Sequence, residues 1–190
     1  ANAVLDGTDA VMLSAETAIG QFPVAAVKML HRVLAATEAG HRVSESGAAR
    51  DAGTLPGRLH PYTSGSAKDA LNVAACQLAV RAGARAVVVS IPSMTGALAI
   101  ARLRPYVPLV MITDSRRLYR ALALVHGVSP LFSTALDGAE PQACIAQARA
   151  WLFLQGLAQP GDKAVLLSVS NLAGNSGGEA DTLQLVRMIR

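Results

Sequence analysis

The sequence predicts an α/β protein: the end of an α/β barrel, then a mostly parallel α/β/α sandwich of about five strands with an antiparallel last strand. Three observations carry that expectation. From Ser66 onward, short β-branched runs alternate with helix-length stretches that keep one apolar face. The runs are continuously apolar, as in RAVVVSI at 85–91, which marks strands covered on both sides. Aromatic residues make up 4% of the chain against 52% hydrophobic residues, so Ala, Val, Leu and Ile must build the core. Such small side chains let helices lie close to a sheet.

Taken in order, residues 1–5 read as the tail of a helix closed by the turn pair Asp6-Gly7. The run DAVML at 9–13 has the length of a strand. Pro23 suits the first turn of a helix, where its missing N–H is not needed, and an apolar face then continues to about Glu38. Helix, strand, loop and helix make one barrel repeat, and its strand needs barrel neighbours to bury both faces. Residues 40–65 are rich in Gly, Ser, Arg and Pro and keep no apolar period, as a linker would. Residues 67–82 form an Ala-rich helix stopped by Gly83. Further helices are expected at about 95–103, 115–125 and 141–156, with strands at 85–91, 109–112, 128–132, 164–169 and 182–189. About ten residues join the last two strands without a helix, so the last strand should run antiparallel at or near an edge.

Composition excludes several classes. A membrane-spanning helix needs roughly 20 consecutive apolar residues, and here Gln, Ser, Arg or Pro interrupts every run sooner. A net charge of +4 and a pI near 9.5 favour anionic partners only weakly. Lys and Arg are not interleaved with aromatics as on a nucleic-acid surface. Cys76 and Cys144 sit in apolar helical patterns without metal-ligand spacing, as expected of plain buried thiols in a reducing cytoplasm. The chain opens at Ala1 in mid-pattern with no charged leader, which argues against a signal peptide and suggests a longer parent protein.

The stretch richest in chemistry is ANAVLDGTDAVMLSAETAIGQFP at 1–23. Ser14, Glu16 and Thr17 follow the barrel-type run, and barrel enzymes gather catalytic groups at the carboxyl ends of their strands. A hydroxyl beside a carboxylate there can relay a proton; the plainer alternative is that Ser14 and Thr17 serve only as turn or capping residues. The stretch resembles the pyruvate kinase signature D-G-x-D-x-x-M-L-S-[GA]-E-T-A-x-G-x-[YF]-P, and Ala15 is similar to one of the two bacterial isozyme types. KDALNVAACQLAV, LYRALALVHGVSPLF and PGDKAVLLSVS resemble, in order, successive segments of that family's C-terminal domain.

The resemblance implies the end of a TIM (β/α)8 barrel at 1–39, a linker at 40–65 and a regulatory and assembly domain at 66–190. It also implies a cytoplasmic, homotetrameric glycolytic enzyme that moves the phosphoryl group of phosphoenolpyruvate to ADP, giving pyruvate and ATP with Mg2+ and K+. Ser14 would lie near proton delivery to the enolate, with Glu16 orienting the site and Thr17 beside it. The family's catalytic lysine, metal-binding carboxylates and phosphate-binding arginines would lie before Ala1, so the chain alone should be inactive. Ile19 stands where many members carry a Lys associated with nucleotide phosphates.

A second constellation is regulatory. Ligands of open α/β sheets bind outside the carboxyl ends of the strands, here the loops around Ser90, Ser93, Thr95 and Gly96 and around Ser170, Asn171, Gly174, Ser176 and Gly177. A helix starting near Thr95 offers free N–H groups to a phosphate, and a glycine-rich loop can close with backbone donors. The resemblance implies a sugar-phosphate or nucleotide effector, although the usual S-G-R-[ST] phosphate clamp is missing, since the chain reads Ser93-Met94-Thr95 with no Arg. The alternative is a pair of surface loops that kept their shape and lost the ligand. Arg102, Arg104, Arg116, Arg117 and Arg120 form the main basic concentration, read as a solvated face or a subunit interface. The four histidines share no metal-ligand spacing. The competing reading of the whole chain is a free-standing, non-catalytic binding or assembly module.

Overall fold

The computed structural model describes residues 1–52, 66–133, 141–168 and 182–189, with side chains outside 41–52 and 141–144. The chain divides into two compact units, Ala1–Ala52 and Gly53–Arg190.

The first unit holds α1 (Asn2–Leu5), α2 (Ala15–Ala18) and α3 (Pro23–Ala52), and both short helices pack on the long one. Two expectations change here. The run at 9–13 is not a strand, because a strand needs a hydrogen-bonding neighbour and the described residues of this unit contain none. The helix expected to stop near Glu38 runs on to Ala52, into the stretch read as linker. Residues 39–52 lack an apolar period, but Ala, Arg and Glu are strong helix formers and no Pro intervenes. None of residues 1–40 is buried. Met12 is 88% exposed, Ile19 86% and Phe22 72%, with Leu5, Val24, Val27 and Met29 each more than half exposed.

The second unit is a five-stranded sheet between helices. Its elements are α4 (Ala67–Ala82), β1 (Val87–Ser90), α5 (Met94–Ala101), β2 (Leu109–Thr113), α6 (Arg116–Leu122), β3 (Val128–Phe132), α7 (Pro141–Leu154), β4 (Lys163–Ser168) and β5 (Thr182–Arg187). The strand order is β3-β2-β1-β4-β5, parallel throughout except for the antiparallel β4–β5 pair. The short connection had predicted that pairing.

Alternation along the strands gives the sheet two apolar faces. Val87, Val89, Met111, Val165 and Leu167 pack with Ala75, Cys76 and Ala79 of α4, Ile100 of α5 and Leu122 of α6. Val88, Val110, Ile112, Ala164 and Leu166 pack with Ala148 and Leu152 of α7. The helix caps follow local chemistry. Ser66, Ser93 and Ser115 each accept from a backbone N–H three residues on, and Gly83 closes α4 at φ 63°. Cys76 is a free, buried thiol, pushed up to about 12 by burial; the side chain of Cys144 lies outside the described residues.

At the amino ends of the strands, Arg85 Nε donates to Asp162 Oδ2 at 3.2 Å and Lys163 Nζ donates to the Ala82 carbonyl at 3.3 Å. The outer edge of β3 is closed. The backbone N–H of Leu109 bonds to Gly127 and that of Ser133 to Thr113, so Val128, Pro130 and Phe132 turn outward. Pro130 has no N–H to offer, the Val128 N–H bonds to Val125 O, and Gln147 Nε2 donates to the Phe132 carbonyl at 3.0 Å.

Candidate functional site

Ser14, Glu16 and Thr17 come together in one turn. Glu16 Oε2 accepts the Ser14 N–H at 3.0 Å, and Thr17 Oγ1 donates to the Ser14 carbonyl at 3.2 Å. The Glu16 carboxyl is held below the usual carboxylate range, first by its own backbone N–H and then by that of Ser14. A carboxylate near the start of a helix thus satisfies donors that the first turn leaves unpaired.

The Ser14 hydroxyl makes no hydrogen bond among the described residues and does not cap α2. That favours a free hydroxyl over the capping alternative, because the capping work falls to Glu16. Gly20 closes the turn through its N–H to the Ala15 carbonyl at 2.9 Å. A Cβ at Gly20 would run into the Glu16 carbonyl oxygen, a backbone atom that cannot swing aside. The glycine is there for close approach.

In the second unit, Ser90 ends β1, half-buried, and Ser93 caps α5 through its Oγ to the Gly96 N–H at 3.3 Å. Thr95 and Gly96 lie exposed in the first turn of α5. These four residues share the carboxyl end of β1, beside the end of β4. There the chain reverses its direction across the sheet, since β2 and β3 extend to one side of β1 and β4 and β5 to the other. Ser170, Asn171, Gly174, Ser176 and Gly177 lie outside the described residues.

Two hydroxyls at this end were not singled out from the sequence. Ser90 stands in register with Ser168, and Ser168 with Thr182, so three hydroxyl residues form a row across β1, β4 and β5. By alternation the row lies on the α7 side. Thr182 Oγ1 is buried and has no hydrogen-bond partner among the described residues. Counting alternate positions inward from Ser90 once the strand pairing is known would have found the row. The sequence alone gives no register between β4 and β5.

Among the basic residues, Arg116 lies over the Phe132 ring at 4.7 Å from its centroid, and Tyr119 meets that ring edge-on at 6.2 Å. That arginine therefore packs against the sheet edge. Among the described residues, no group of three His, Cys, Asp or Glu side chains could hold a metal ion. Glu16, moreover, is already engaged by backbone N–H groups. Among the described residues, then, no cluster of such side chains offers a Mg2+ site.

Comparison with known proteins finds two family models. "Pyruvate kinase, alpha/beta domain" matches residues 69–186, and "Pyruvate kinase, barrel domain" matches residues 1–27. A pyruvate kinase of Chlamydia pneumoniae is 36% identical over 170 residues, covering 88% of this chain and 33% of the relative. One from Geobacillus stearothermophilus is 36% identical over 130 residues, covering 67% and 20%. Among solved structures, a Cryptosporidium parvum pyruvate kinase matches with a TM-score of 0.75 at 25% identity, over 98% of this chain and 34% of that one. The complex of the Cryptosporidium enzyme with ADP matches at 0.72. The chain spans about a third of the length of the first curated relative it matches.

Proposed function

Because the chain belongs to the pyruvate kinase family, we propose that it contributes the last barrel segment and the C-terminal domain of an enzyme moving a phosphoryl group from phosphoenolpyruvate to ADP. The reading makes that enzyme a cytoplasmic, glycolytic homotetramer. One observation carries the catalytic part: the Ser14 hydroxyl is exposed and unspent in a turn whose carboxylate is already fixed.

Loss of the phosphoryl group leaves an enolate that must gain a proton at carbon. Ser14 is the group of this chain suited to pass that proton on, directly or through water. Glu16 accepts the Ser14 backbone N–H and Thr17 donates to the Ser14 carbonyl, so both are positioning residues. A positioned proton relay is worth roughly 10²–10⁴ in rate. The charge stabilisation that dominates phosphoryl transfer comes from metal ions and cationic side chains. The turn supplies neither, and Ile19 brings no charge to it. We therefore expect no turnover of phosphoenolpyruvate by the 190-residue chain with ADP, Mg2+ and K+; measurable turnover would refute this.

A direct test grafts residues 1–39 onto the barrel of the Geobacillus relative in place of its own segment. The chimera should turn over substrate, and Ser14→Ala should lower kcat by roughly 10²-fold or more with little change in KM. Equal kcat in both would remove Ser14 from the proton path.

The crevice at the ends of β1 and β4 is proposed to take a phosphorylated effector on backbone N–H groups of the α5 terminus. Without an arginine clamp, binding should be weaker by about 1.5–3 kcal/mol than where a charge-assisted bond is made. Calorimetry with ribose 5-phosphate, AMP and fructose 1,6-bisphosphate tests it, and no heat with any of the three overturns it.

A further inference from the structure

Charge is spread unevenly along the second unit. Residues 70–136 hold seven arginines, no lysine and one acid, Asp114. A merely solvated surface intersperses both signs. Three of the seven, Arg116, Arg117 and Arg120, stand exposed on α6. Among the described residues none of the three is paired with a carboxylate.

The fold gives this patch an aromatic neighbour that the sequence does not place beside it. Arginines and aromatics do not alternate along the chain, and Phe132 reaches Arg116 from sixteen residues away because β3 packs against α6. A guanidinium lying over a ring is held by it, and its N–H donors stay available to an anion. Arg120 follows one turn later, about 6 Å along the helix axis, a step comparable with that between successive phosphates of a single strand. Tyr119, in the same turn, is 39% exposed and meets the Phe132 ring edge-on. Fixed positive charge and a ring reachable from solvent thus share one rim. No further strand is templated there, since Pro130 cannot donate and Gln147 already occupies the Phe132 carbonyl.

We infer that the α6–β3 rim binds single-stranded nucleic acid, with phosphates on Arg116, Arg117 and Arg120 and a base stacked on Tyr119. The two halves of the patch select that partner together. Phosphate oxygens match the arginine fork. Unpaired bases stack on aromatic side chains whatever their sequence, and a basic track beside the ring follows the backbone. An acidic peptide would engage the arginines and leave Tyr119 idle. Asp114, just before the helix cap, opposes the field at one end of α6 only.

The inference goes beyond the catalytic reading and does not rest on it, because its test reads binding and no turnover. Fluorescence anisotropy of a labelled oligouridylate, about ten nucleotides long, should show saturable binding by the 190-residue chain at low salt. The logarithm of the affinity should fall against that of the salt concentration with a slope of about −2, as three neutralised phosphates require. Arg117→Gln combined with Arg120→Gln should cut the slope to about −0.7; both side chains are exposed, so the fold should keep its circular dichroism. Tyr119→Leu keeps an apolar contact with Phe132 and removes the ring. It should weaken binding roughly 5- to 150-fold at an unchanged slope, while Tyr119→Phe binds as the parent does.

No binding at low salt overturns the inference. So does an unchanged slope in the double arginine variant, or a folded Tyr119→Leu that binds as tightly as the parent. If polyglutamate displaces the labelled strand as well as unlabelled oligouridylate does, the rim recognises acidic peptide instead and the inference fails. Should Tyr119→Leu not fold, the arginine pair and the polyglutamate competition still decide.

Discussion

The two units of the chain solve the problem of apolar surface in opposite ways. In the second, a sheet covered on both sides takes Val, Leu and Ile fully out of water, as at Ile100, Leu109, Leu152 and Leu167. In the first, residues of the same chemistry stay in water: Met12, Ile19, Phe22 and Val24 are each more than 60% exposed. Both have helices with good local signals. What differs is layering. A helix can satisfy its own backbone, but its apolar side needs a second layer. Within Ala1–Ala52 there is no sheet to supply one. Local helix signals alone do not make a core.

The contrast is sharpest in the response to truncation. Leu152→Ala, at a side chain with no solvent exposure, should cost about 2–5 kcal/mol in urea unfolding. Val27→Ala, at a residue 52% exposed, should stay within about 0.5 kcal/mol. If the two cost the same, the division between the units is wrong. Limited proteolysis should cut first within residues 1–65 and leave a fragment containing β1 to β4; early cleavage inside 85–132 would contradict it.

A smaller effect is expected where the first unit is tight. Gly20→Ala drives a Cβ against the Glu16 carbonyl, which should cost about 1–3 kcal/mol of local strain. Faster exchange of the Ala18 and Gly20 amides should report it. Unchanged exchange would mean that the turn is looser than its geometry.

The mildest case is electrostatic. Asp162 is held below the usual carboxylate range by the Gln159 N–H and, against some desolvation, by Arg85. A depressed carboxylate stabilises the fold above its unfolded pKa and loses that contribution as pH falls through the folded value. Asp162→Asn should therefore be less stable than the parent at neutral pH, with the gap closing below about pH 4. A gap that widens on acidification would reverse the assignment.

Much of the second unit was legible in the sequence because each of its signals is local. VVVS, LVMIT and KAVLLS are apolar enough to be buried on both faces, and Gly83 ends α4 where the pattern ends. The antiparallel β5 followed from a connection with no helix. What the sequence withheld was non-local. Whether DAVML becomes a strand depends on a neighbour, not on its own residues. The length of α3 depends on propensity persisting after the apolar stripe has stopped. At the site, the grouping of Ser14, Glu16 and Thr17 could be read from their spacing. That Glu16 would take the capping role and leave Ser14 free could not. The row Ser90–Ser168–Thr182 needed the register of three strands, which no single segment encodes.

Pro130 and Gln147 have an effect reaching past the single molecule. A sheet sticky at both rims could add copies without limit and grow into a fibre. With one rim capped by a residue that cannot donate and a carbonyl already occupied, that rim gives a further strand no template to extend from. A proline at a rim position thus sets a ceiling on how many chains can join edge to edge.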